Sequence, residues 1–313
     1  MSDKSNKELG KAELARKEAA TAALAQEIAQ AQDAERAETT RFNAGRDLIW
    51  AAQVGDFERV KALLPVADLG VKSREGLNAL QEAIWQQNGR CVEMLLPWFD
   101  AKAKDPSGHT ALMNAAATGW SEGVEMLLPA SEAKAAESHG WTALMMAAMA
   151  ERDRGADCLL VLLPESDARA TDNDGMSALM HAANSRNAKR VEALLPASDP
   201  LAVDRRYGMS ALMMAASGLG EGGVEAIVDA LIPFSDLRAR DNAGLTALDH
   251  AKTHHQEIFP AIARGAEKIR QAMLRAEQEA LAAEVEKGAE NVGTTADGQS
   301  GVGTPRRRAP KTL

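Results

Sequence analysis

Residues 105–129 read DPSGHTALMNAAATGWSEGVEMLLP, and the rest of the chain can be read outward from them. Asp105-Pro106-Ser107-Gly108 is turn chemistry: the Asp and Ser side chains bond back to nearby amides, and Gly accepts positive φ. Thr110 brings an oxygen to the N-cap of a helix that begins at Ala111. Leu112, Ala115 and Ala116 lie at i, i+3 and i+4, one apolar stripe whose alanines let a neighbouring helix come close. Thr118-Gly119 breaks this helix. A second starts near Ser121 and carries Val124, Leu127 and Leu128 at the same spacing. Pro129 closes it, because proline has no amide hydrogen to continue the ladder. The pattern is turn, short helix, turn, second helix, extended return.

The phrase Gly, any residue, Thr/Ser/Asn-Ala-Leu returns six times, at Gly76–Leu80, Gly108–Leu112, Gly140–Leu144, Gly175–Leu179, Gly208–Leu212 and Gly244–Leu248. The glycines are separated by 32, 32, 35, 33 and 36 residues. A period in the low thirties means stacked units, each burying its stripe only against the next. Neither helix of a unit is long enough to be stable alone. Seven units can be counted, the first (Arg46 to Pro65) lacking the turn phrase and the last (Asp241 to about Ile262) carrying Lys252 where a second Ala is expected. The fold class expected is therefore all-α, a solenoid of about seven helix-turn-helix units with hairpin loops. Extra residues fall between the two helices near Glu151 to Asp157 and Gly218 to Gly223, either as docking loops or as neutral insertions.

Several units in phase resemble the ankyrin repeat, with its hairpin turn Asp-x-x-Gly-x-Thr, a Pro-Leu-His-x-Ala-Ala helix and a second helix ending in Leu-Leu. The resemblance covers residues 46–262, with consistent departures. The Pro after Thr is Ala (Ala111, Ala143, Ala178, Ala211, Ala247), and the His is Met113, Met145, Met180 or Met213. The imidazole network the family attributes to that His does not carry over, and the Met stripe reads as flexible core filler. The resemblance implies a non-enzymatic scaffold that binds a protein through its concave surface, the hairpin tips and the exposed ends of the first helices. Binding energy concentrates in Trp, Tyr and Arg, so Trp141, Tyr207, Arg206 and Trp85 lead the expected partner-binding set. His139, Arg74, Asn173, Asp174 and Met149 complete it. For Trp141 and Trp85, packing on a neighbouring hairpin is the competing reading.

Net charge is −9, and residues 42–263 carry 20 basic against 30 acidic groups. An acidic body disfavours nucleic-acid phosphates and anionic membrane, and aromatic residues at 4% provide no series of stacking platforms. No apolar run approaches a membrane span, and Met1 to Gly10 is too polar for a secretory leader. Cys91 and Cys158 read as small buried hydrophobes in a reducing compartment, and the expected location is cytoplasmic. No nucleophile–base set, phosphate loop or Cys-x-x-Cys pair is present, so neither catalytic residues nor a cofactor are expected. His250 and His254 share a helix spacing that can hold metal. Without a third ligand they read as exposed surface histidines.

Residues 1–42 are helix formers rich in Ala, Glu and Lys, read as a solvated helix leading into the repeats at 43–263 or as a helix for self-association. Residues 264–290 form a similar helix bearing Ile269, Met273, Leu274 and Leu281. From 291 to 313 the composition is that of disorder, ending in the basic run Pro305 to Lys311. That run is either a solvated tail or the targeting signal of a delivered effector or regulatory protein.

Overall fold

In the computed structural model the described residues are 2–150, 154–217, 224–253 and 267–283, with only the backbone described before residue 23. The chain divides into two compact units, Met1–Asp199 and Pro200–Leu313. Among the described residues the first unit contains ten α-helices: α1 (Ser2–Val54), α2 (Phe57–Leu63), α3 (Ala79–Trp85), α4 (Gly89–Leu95), α5 (Ala111–Ala117), α6 (Ser121–Leu127), α7 (Ala143–Met149), α8 (Gly155–Leu162), α9 (Ala178–Asn184) and α10 (Ala188–Leu194). They pack as five successive pairs, α1 with α2 through to α9 with α10. The first helices α1, α3, α5, α7 and α9 pack successively on one another, as do the second helices α2 to α10. In the second unit α11 (Ala211–Ser217) packs against α12 (Val224–Leu231) and α13 (Ala247–Thr253), and a further helix, α14, spans 267–283. The fold is an all-α solenoid of stacked helix pairs, and among the described residues only isolated β-bridges close the hairpins.

Local chemistry starts each first helix. Asn78, Thr110, Thr142 and Ser177 accept a hydrogen bond from the amide of the third helical residue. In α5 and α9 the box closes in an unusual way: Met113 Sδ and Met180 Sδ each accept the N-cap amide, at 3.5 Å. These methionines are buried, as core filler should be, and their thioethers also stand where Glu or Gln usually closes the box. The Leu/Ala/Ala stripes of α1, α5, α7, α9 and α11, and Leu80/Ala83/Ile84 of α3, are buried to 0–1% exposure, whereas in α13 Leu248 is half-buried and Lys252 is exposed.

One expectation about the second helices needs correction. Val124 and Leu127 are fully buried, but Leu128 is only half-buried. The α-helix ends at Leu127, and Leu128–Ala130 forms one 3-10 turn with Pro129 in its first positions, so the second Leu swings off the stripe. Leu95, Leu162, Leu194 and Leu231 are buried in the same way with the next residue half-buried, and the 3-10 turn recurs after Leu95 and Leu231. A truncation cost of about 2–5 kcal/mol therefore belongs to Leu127. At the entry α1 runs unbroken from Ser2 to Val54, so the helix at 1–42 leads continuously into the first repeat. Its residues 26–43 are all exposed, and burial starts at Gly45, Leu48 and Ile49.

In α14, Ile269 is fully buried while Leu274 and Leu281 are exposed. Lys268 bonds Glu225 and Asp229 of α12, and Arg238 bonds Glu277. One apolar anchor and three ion pairs hold the helix to the second unit. The insertion residues 151–153 and 218–223, the pair His254 and His255, and the tail 291–313 lie outside the described residues.

Candidate protein-binding surface

From the second one onward the hairpins between helix pairs are built around one carboxylate each, while in the first Ser73 Oγ accepts the Leu77 amide at 3.2 Å. Asp172 Oδ1 accepts the amides of Asp174 and Met176, at 3.0 and 2.9 Å, while its Oδ2 lies 2.9 Å from His181 Nε2. Asp105 holds Ser107 and His109 in the same way and takes Asn114 Nδ2 at 3.0 Å. Asp241 holds Ala243 and Leu245 and meets His250 Nε2 at 2.7 Å. Each carboxylate thus ties a turn to the first helix nine residues further on. His250, expected to be exposed, is buried by this contact: its imidazole N–H has an internal acceptor and need not face water. Burial pushes His181 below the usual imidazole range, with Asp172 opposing. For Asp241 burial acts upward, but the Leu245 amide, His250 and the Ala243 amide together hold its carboxyl below the usual range.

Where the helix residue is Met146, the carboxylate has no such partner. Glu137 instead folds back on its own turn. Its Oε1 accepts the amides of His139 and Trp141, and its Oε2 lies 3.0 Å from both His139 Nδ1 and Ser138 Oγ. Burial favours the neutral acid here, yet these donors outweigh it and hold the carboxyl down to about 2.

Neighbouring hairpins within a unit are zipped together at their tips. The Asn173 amide donates to the His139 carbonyl at 2.9 Å and Asn173 Nδ2 to the Ser138 carbonyl at 3.0 Å. In the second unit Asn242 makes the same pair of bonds to the carbonyls of Tyr207 and Arg206. Gly140 has φ +86°, and a Cβ there would sit 3.0 Å from the Asn173 amide, so both the turn and the zipper require glycine.

The expected binding residues distribute as follows. In the first unit Arg74, His139, Asn173 and Asp174 are exposed at the hairpin tips, and Trp85 (42% exposed) and Met149 sit exposed at the C-terminal ends of α3 and α7. Trp141 is half-buried, its ring 4.4 Å from the His181 ring of the next repeat. In the second unit Tyr207 is 53% exposed and carries the Arg206 guanidinium 5.2 Å from its ring centre. Asp204 accepts the amides of Arg206, Tyr207 and Met209 and so fixes that tip.

Sequence reasoning missed two exposed aromatics, Phe42 and Trp50 on α1. The available signal was the absence of a turn phrase before Leu48, which leaves no hairpin to cover them. It also missed the carboxylate couples, although an Asp three residues before Gly with Asn or His nine further on was there to be seen. Cys91 and Cys158 are buried, and desolvation pushes the Cys158 thiol up to about 12, which removes it from thiolate chemistry. Among the described residues no three His, Cys, Asp or Glu side chains gather as for a metal, and no helix is long and apolar enough to cross a membrane.

Stacked helix pairs joined by hairpins define a repeat protein. The family model described as ankyrin repeats (3 copies) matches residues 48–138, 86–160 and 149–222, more than half of the chain, and the chain belongs to the ankyrin-repeat family. Among solved structures, the human ASB11 ankyrin repeat domain is similar at a TM-score of 0.58 and 20% identity, over 70% of this chain and 96% of that one. That likeness concerns the fold. No curated protein matches the chain in sequence.

Proposed function

We propose that this protein is a non-enzymatic scaffold that binds a protein partner through its hairpin tips and first-helix ends. Ankyrin repeats are in general protein–protein interaction modules. The observation that supports the reading is that Trp85, at the end of α3 in the first unit, and Tyr207, at a hairpin tip of the second, each hold a half-exposed aromatic ring. Aromatic and Arg side chains concentrate binding energy because they bury large area at little entropy cost. Arg206, Arg74, His139, Asn173, Asp174 and Met149 supply the polar and adaptable contacts around them. Trp141, already seated on His181, adds a rigid edge that loses little freedom on binding.

The test is affinity capture with the wild-type chain and with Trp85→Ala/Tyr207→Ala. Loss of at least one retained protein, with an unchanged thermal melt, is expected, and equal retention by both chains overturns the tip-face assignment. The alternative, a delivered effector or regulatory protein addressed by its tail, rests on the basic run 306–311. Deleting residues 305–313 separates the two readings: a scaffold keeps its location and partner, whereas an addressed effector is misplaced.

A further inference from the structure

The first repeat lacks the one part that every later repeat has. From the second repeat onward a hairpin stands in front of the first helix, and at Asn114, His181 and His250 a side-chain N–H of that helix meets the hairpin's carboxylate. All three residues lie two positions after the recurring Leu of the Ala-Leu phrase. The residue two positions after Leu48 is Trp50, whose indole N–H is likewise a donor only. No hairpin covers it, since α1 enters straight from the N-terminal side. Trp50 is 50% exposed, and Phe42, two turns earlier, is exposed beside it.

The vacated place is an open groove of about 850 Å³ between α1 and the first hairpin. Three features describe what fits it. Arg46, Lys72 and Arg74 line it and outnumber Glu75 and Glu82, in a body that is otherwise acidic. Arg74 stands two residues before its Gly, as Asn173 and Asn242 do, and those two donate their amides to carbonyls of the preceding hairpin. No hairpin precedes Arg74, and among the described residues its amide has no acceptor. Trp50 meets a cation on one side, with the Arg59 guanidinium 5.1 Å from its ring centre, and its N–H likewise has no acceptor among the described residues.

We infer that this groove is a docking slot for an acidic β-turn of a partner protein, a turn of the Asp-x-x-Gly kind that the later repeats supply for themselves. The partner's carboxylate faces the Trp50 indole N–H and Arg46, a turn carbonyl accepts the Arg74 amide, and the turn covers Phe42. The slot extends the tip-face reading to the entry end of the stack, and loss of the slot leaves that reading standing.

The probe is a labelled peptide copying residues 168–178, closed by a terminal disulfide, titrated with the full chain and followed by fluorescence anisotropy. Saturable binding is expected. Replacing the peptide's own Asp172→Asn should weaken it about tenfold, in keeping with loss of a charge-assisted hydrogen bond. Trp50→Ala and Arg46→Glu in the protein should each weaken it by about tenfold or more, with melts unchanged because both side chains border the groove. Arg74→Pro should weaken binding more than Arg74→Ala does, since only the first removes the amide donor. The hairpin accepts proline there, as Pro106 occupies the corresponding place one repeat on. No saturable binding at millimolar peptide, indifference to the Asp172→Asn exchange, or equal binding by the Trp50→Ala chain overturns the slot. A dimer of the wild-type chain that Trp50→Ala dissolves assigns the groove to a second copy and overturns it equally.

Discussion

The hairpin at Asp172 and the one before it at Glu137 do the same job with different chemistry. Asp172 is tied to His181 on α9, so its turn is fastened to the body of the repeat. Glu137 faces Met146, and its extra methylene lets it curl onto His139 and Trp141 within the turn. One carboxylate couples turn to helix, and the other stiffens the turn alone. Trp141 then makes the fastening indirectly, by packing its tilted ring 4.4 Å from the His181 ring of the next repeat. A locally self-contained turn is thus anchored through its neighbour's helix.

The sharpest way to break this contrast is to remove the two carboxylates. Asp172→Ala should cost about 3–5 kcal/mol, because it strands a buried imidazole and two turn amides together. Glu137→Ala should cost about 1–3 kcal/mol, as its donors are nearer the surface and can find water. Urea midpoints compared for the two variants check the order, and equal losses would erase the distinction.

Acid separates them next. Glu137 has its folded pKa depressed to about 2 from 4.5, so the unfolded chain takes up the proton first. Its stabilisation is complete above about pH 4.5 and is lost as pH falls towards 2. His181 is also depressed, but its unfolded value is near 6.5. Its neutral form is favoured in the fold, so stability is fully present above that value and falls as pH drops below it. The melting temperature measured between pH 7 and 5 should therefore decline in the wild type. In His181→Asn, which copies the Asn114 arrangement, the decline should flatten.

A smaller effect tests the indirect anchor. A double-mutant cycle on Trp141→Ala and His181→Ala should return a coupling of about 0.5–1.5 kcal/mol. A coupling near zero would leave the Glu137 turn fastened by its own bonds only. The smallest change expected comes from giving that repeat the coupling it lacks. Glu137→Asp with Met146→His should gain about 0.5–1 kcal/mol over the sum of the single changes, read from denaturant melts.

Much of this was legible beforehand, for definite reasons. The Thr110 cap, the Ala111 start and the Leu112/Ala115/Ala116 stripe are local, written within a few residues of one another, and the structure has them as read. His250 was misread because its partner Asp241 lies across a turn, and a helix-spacing rule pointed it at His254 instead. Leu128 was misread because two adjacent leucines at a helix end compete for one inward position. The proline-bearing 3-10 turn gave that position to Leu127. Trp50 and Phe42 went unnoticed because exposure follows from what is absent nearby, which a motif search does not register.

The chain's own order of residues determined the repeat, its period, its caps and its buried stripes, because these depend on contacts between near neighbours in sequence and on a pattern copied many times. Tertiary structure alone decided which carboxylates reach a helix, which aromatic is propped and which stands open, and where a groove is left at the entry. The carboxylate couples close across a turn within one repeat, nine residues apart, while the propped ring and the open groove depend on residues of an adjoining repeat, because burial in a stack is set by the neighbour as much as by the residue itself.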